Sequence, residues 1–162
     1  MKRFVTGTAA LMLAVAAGQA TADILISNHP GNDGTQTAGI NDGSRTKGMG
    51  FEMPAGDGYY LDDVLLRLNI GDTAVQPRIE IFSDVGGGPG TSLTTLVNPS
   101  FSAGIGDFTF TPSGDFVLEA MTTYWIVASS DSLTYDWMAS SPSVTPTGDA
   151  THTRATFGAY PP

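Results

Sequence analysis

The sequence predicts an all-β protein, a two-sheet antiparallel β-sandwich of jelly-roll or immunoglobulin-like kind. Three observations carry this. Residues 59–70 and 76–83 alternate apolar and polar side chains with the period of two that a strand imposes. Glycine, proline and Asx residues punctuate the chain between short apolar runs. Beyond residue 22 nothing has the period of a helix, and about eight to ten short strands separated by turns are the pattern of a sandwich.

The leader comes first. Met1, Lys2 and Arg3 make a basic start, residues 4–17 are mostly apolar, and Ala20, Thr21 and Ala22 supply small residues before a cleavage point. This is the three-part pattern of a signal peptide cut after Ala22, and its apolar run is too short to span a bilayer. Cleavage leaves 140 of the 162 residues as one domain, enough to bury a core without covalent staples. The mature chain then has no transmembrane span, and its expected place is outside the cell or on the cell surface. There are no cysteines, which excludes disulfides, thiolate catalysis and cysteine-based metal sites. Losing Lys2 and Arg3 takes the net charge from −9 to −11. The remaining cations, Arg45, Lys47, Arg67, Arg78 and Arg154, do not cluster, so phosphate backbones and anionic lipid surfaces are not expected partners.

Residues 23–28, DILISN, read as a first strand. Residues 29–47 are rich in Gly, Asn, Asp, Ser and Thr and read as a long surface loop or a very polar strand pair. Residues 48–53 form a short strand ended by Pro54. In residues 59–70, Val64, Leu66, Leu68 and Ile70 share one face while Leu65, Arg67 and Asn69 share the other. Gly71 to Ala74 turns the chain, and a hairpin with residues 76–83 is expected. In that second strand Ile79 and Ile81 point one way and Arg78, Glu80 and Phe82 the other. It runs into Gly86, Gly87, Gly88, Pro89 and Gly90, a run that permits positive φ and no helix. Short strands follow at 93–97, 108–110 and 116–118. Residues 122–128, TTYWIVA, are apolar on both faces, as in a central strand covered on both sides. Residues 133–139 form another strand and 151–157 a weak last one.

Residues 24–28 (ILISN), 59–70 (YYLDDVLLRLNI), 79–93 (IEIFSDVGGGPGTSL) and 122–130 (TTYWIVASS) together resemble the choice-of-anchor R domain. The resemblance covers most of residues 23–137. It implies a secreted bacterial surface protein, often one with a PEP-CTERM sorting tail, and implies no catalytic residues. The chain stops at Pro161 and Pro162 without an apolar span, basic tail or sorting motif. The expectation is truncation before a last strand and an anchor; soluble release is the alternative.

Chemistry-bearing residues are few. The histidines, His29 and His152, lie in polar stretches without a nucleophile elbow, and read as surface residues. Glu52, Glu80, Glu119, Asp62 and Asp63 are the carboxylates available for glycoside hydrolysis. Asp62 and Asp63 face opposite ways, and Glu80 sits where a solvated strand residue belongs. Calcium is the stronger acidic hypothesis. Asp33 and Asp42, with Asn32 and Asn41, lie in glycine turns, as does Asp84, and Ca²⁺ takes such oxygens. Asx-glycine turns also form unaided, which is the simpler reading. Tyr59, Tyr60, Tyr135 and Trp137 are the candidate faces for stacking on sugar rings; Trp125, in the most apolar strand, reads as core. The expected function is therefore a non-enzymatic extracellular domain. A carbohydrate-binding module for extracellular polysaccharide or cell envelope is the alternative, and a glycan hydrolase a distant third.

Overall fold

A computed structural model of the chain describes residues 23–29, 36–41, 45–131, 133–139 and 144–158. The expected leader at residues 1–22, and the calcium candidates Asp33 and Asp42, lie outside these. Among the described residues there are eleven strands and no helix. They are β1 (Gln36–Ile40), β2 (Thr46–Glu52), β3 (Tyr59–Tyr60), β4 (Val64–Ile70), β5 (Pro77–Asp84), β6 (Pro89–Val97), β7 (Gly104–Pro112), β8 (Val117–Leu118), β9 (Thr123–Ser130), β10 (Tyr135–Ala139) and β11 (Thr151–Gly158).

Nine of these form one antiparallel sheet in the order β1-β10-β4-β7-β6-β5-β9-β2-β11, and β3 pairs with β8 in a small second sheet. Between β6 and β7 the large sheet is held by only two residue pairs, Leu96 with Pro112 and Val97 with Thr111. On either side of that joint the pairing is long: seven residue pairs between β4 and β7, seven between β5 and β9. The sheet curls about this joint, so that side chains from both halves meet in one core. Leu66 and Leu68 of β4, Phe108 and Phe110 of β7 and Trp137 of β10 lie in the same apolar cluster as Ile79 and Ile81 of β5 and Ile126 of β9. Burying this apolar surface is the dominant favourable contribution to folding.

The strand phases follow the sequence. In β4, Val64, Leu66, Leu68 and Ile70 are buried and Leu65 is exposed. The predicted central strand is β9, flanked by β5 and β2 and buried on both faces. Partner choice departs from expectation. β4 and β5 are not a hairpin: β4 lies between β10 and β7, and β5 between β6 and β9. The connection between them crosses from one half to the other, with Val75 completely buried along it. The Val75 N–H donates to the Asp72 carbonyl at 3.0 Å, and the Ala74 N–H to Asp72 Oδ1 at 2.8 Å. These bonds shape the turn at the start of that crossing.

Two further expectations are corrected. Residues 23–28 are not a strand of the large sheet: only Ser27 bridges, to Thr147, and the Ala150 N–H donates to the Leu25 carbonyl at 2.8 Å. They form a strap tied to the segment before β11. The polar stretch at 29–47 contains β1 and the start of β2, yet these are not a strand pair: β1 pairs with β10 and β2 lies between β9 and β11, and only an isolated bridge joins Asn41 to Arg45. The glycine run closes the β5–β6 hairpin. Val85 and Gly88 exchange backbone hydrogen bonds around Gly86 (φ 64°) and Gly87 (φ 79°), the two positive values a type I′ turn requires.

Candidate functional site

An apolar cleft of about 840 Å³ opens between the two halves of the curled sheet. Its walls come from four places: the strap at 23–28, β2, the segment running from β3 into β4, and β10 with residues 144–146. Its floor reaches core side chains, among them Phe51, Leu66, Ile81 and Ile126. The size falls within the roughly 300–1,000 Å³ usual for small-molecule sites.

Lys47 is the one lysine or arginine among the described lining residues. Strand alternation sends it inward with Met49 and Phe51, while Gly50 faces the other way, onto the Trp125 ring. Its Nζ sits 4.8 Å from the centroid of the Trp137 ring, a cation–π contact. Burial lowers the Lys47 pKa from the ordinary 10.5. Among the described residues no carboxylate forms an ion pair with it. A cation taken from water without an anionic partner weakens the fold. The native state gives up this proton more readily than the unfolded chain does. Stability therefore rises with pH between the lowered value and 10.5, and the full cost is present below the lowered value. Lys47→Met is accordingly expected to raise the Tm at pH 7 and to flatten that alkaline rise. A lower Tm for the variant would mean that the charge is compensated.

The candidate stacking residues separate. Trp137, Tyr59 and Tyr60 line the cleft. Tyr60 stands at its mouth, 69% exposed, whereas Trp137 is 7% exposed and has Lys47 Nζ over its ring. Tyr135 is not a stacking face: it is 2% exposed in the core and its hydroxyl donates to the Ser129 carbonyl at 2.8 Å. That burial pushes its pKa well above the usual phenol range. Asp62 and Asp63 are both exposed and both line the cleft, in the break between β3 and β4, where no strand alternation separates them.

Asp84 has its carboxylate engaged within the protein. Its Oδ1 accepts the Trp125 indole N–H at 2.8 Å and its Oδ2 the Gly87 N–H at 3.2 Å. Among the described residues no three His, Asp or Glu side chains gather as metal ligands. Glu80, expected in solvent, is 3% exposed. Arg78 Nε pairs with it at 3.0 Å, and the hydroxyls of Ser92 and Thr95 donate to Oε1 at 2.7 and 3.3 Å. Its neighbours on that outer face are Phe82, Trp125 and Val127, a second buried cluster apart from the main core. Of the histidines, His152 lines the cleft, and His29 Nε2 lies 3.3 Å from Asp107 Oδ2.

Sequence reasoning passed over Lys47. The signal that could have found it is its inward phase in β2, legible only once residues 46–52 are taken as one strand. The strap was also missed, although it forms a wall of the cleft. Gly148 holds it close: with φ 147°, an added Cβ would run into the Leu25 carbonyl oxygen and lie 2.9 Å from Ile26 Cα. Gly148→Ala is expected to detach the strap while leaving the sheet intact. Amide exchange at Ser27 and Ala150 should accelerate at least tenfold, with protection in β9 unchanged. Unchanged exchange at both would show that the strap tolerates the methyl group.

Among the described residues no helix is long and apolar enough to cross a membrane. Compared with known proteins, the chain matches no family model, no curated protein and no solved structure.

Proposed function

We propose that this chain is an exported, non-enzymatic β-sandwich domain that binds a ligand at the cell exterior through the cleft between its halves. The single observation behind the binding role is that cleft, a cavity with an apolar floor and a lone inward cation. Export is supported by the leader pattern of residues 1–22. A sandwich is supported by the shared core of the two halves and by Tyr124, whose hydroxyl accepts the Glu119 N–H at 3.0 Å. A tyrosine bonded to backbone a few residues upstream is a feature of Greek-key sandwiches. The motif resemblance to choice-of-anchor R domains supports display at a bacterial surface.

A second reading, carbohydrate binding, is favoured by Tyr60, an exposed ring beside Tyr59 at the mouth. The test has two parts. N-terminal sequencing of protein recovered from the medium should begin at Asp23; retention of the leader in the recovered protein would refute export by this route. Retention on insoluble envelope polysaccharide, lost in Tyr60→Ala, would establish the carbohydrate reading, and passage straight through the column would eliminate it. Calcium at the turns around Asp33 and Asp42 predicts a fall in Tm on adding EDTA, since a bound ion stabilises by mass action.

A further inference from the structure

Lys47 is placed where it costs stability, and among the described residues no carboxylate pairs with it. Residues retained against stability commonly serve binding or catalysis. Here the ammonium lies within a mainly apolar cavity whose carboxylates stand at the mouth, over a ring that can contribute attraction but no negative charge. The missing partner is an anion. The floor beneath it, Phe51, Leu66, Ile81 and Ile126, is hydrocarbon and can only reward apolar surface. One further restriction comes from the mouth. Asp23, Asp62 and Asp63 are exposed there, and they disfavour a ligand with a second negative charge.

We propose that the cleft takes small amphiphilic monocarboxylates, with the carboxylate on Lys47 Nζ and an alkyl chain along the apolar floor. This assignment rests on the cleft being a ligand site, as argued under the proposed function, and adds the class of ligand. Lys47 supplies a charge-assisted hydrogen bond in a desolvated setting, where such a bond discriminates strongly against an uncharged head. The alkyl chain supplies affinity in proportion to its length.

The test is calorimetric titration of the full chain with octanoate and with 1-octanol, which differ at the head and share the chain. Octanoate is expected to bind on the order of tenfold more tightly than 1-octanol. Affinity should rise about fourfold per added methylene from hexanoate to decanoate. Lys47→Met should bring acid and alcohol to equal affinity, and Lys47→Arg should keep the preference. Should Lys47→Met fail to fold, the acid-to-alcohol comparison in the unmodified chain still decides. Equal binding of octanoate and 1-octanol would overturn the head-group assignment while leaving the cleft a ligand site. Binding of neither, with Tyr60-dependent polysaccharide retention intact, would overturn the alkyl class alone. Binding of neither, with no retention either, would remove both the ligand class and the binding role.

Discussion

Trp125→Ala is expected to lower the Tm by on the order of 10–20 °C, the largest loss of any outer-face substitution. The side chain is 1% exposed, and truncating a buried tryptophan costs about 3–5 kcal/mol. Its ring lies directly over Gly50, where an added Cβ would be 3.1 Å from ring atoms Cε2 and Cζ2. Removing the ring therefore leaves a hole that β2 has no side chain to fill. Its indole N–H also ends on Asp84, whose other oxygen receives Gly87 in the hairpin turn. The truncation leaves that carboxylate oxygen without its donor and loosens the turn. Trp125→Phe separates the two effects: it keeps most of the apolar volume and loses the bond, so a smaller drop of about 1–3 kcal/mol is expected. Thermal melts by far-ultraviolet circular dichroism measure both. Equal stability for Trp125→Ala and the unmodified chain would refute the packing described for this face.

Phe110→Ala should be comparably damaging for a different reason. Phe110, in β7, is completely buried in the cluster shared by the two halves, with the Phe101 ring 6.2 Å away. A loss of about 3–5 kcal/mol follows from its volume. Because the two halves share one core while only two residue pairs join β6 to β7, that core is what couples them. The two tryptophans report on opposite halves, Trp125 in β9 and Trp137 in β10. In Trp137→Phe and Trp125→Phe backgrounds the remaining fluorophore should melt together with the circular dichroism signal, and Phe110→Ala should shift both signals equally. Separate melting of the two signals would show that the halves unfold independently.

Most of the local structure was legible in the residues. The alternation in 64–70 and 77–84 set which side chains face inward, and the two-faced apolarity of 123–130 marked the central strand. The glycine run announced a tight turn, and Gly86 and Gly87 supply its positive φ values. The candidate site was only half legible. Tyr59, Tyr60 and Trp137 do meet in one cavity, whereas Tyr135 went to the core and Asp84 to a structural bond. Nothing in a tyrosine's immediate neighbours says whether its ring will meet solvent or the opposite half of a sheet.

The sequence by itself determined that this chain is built of strands, where most of them lie, and which side of each is apolar. Those properties depend on backbone geometry and on side chains two residues apart. Tertiary structure alone decided that β4 and β5 part company and that residues 23–28 become a strap. It also decided that Glu80 is buried beneath Arg78, and that Lys47 points into a cavity with its Nζ over the Trp137 ring. Each of these depends on which distant segment arrives alongside. Alternation prescribes a face for every side chain, and the neighbour that face will meet is chosen by the folding-over of the whole sheet.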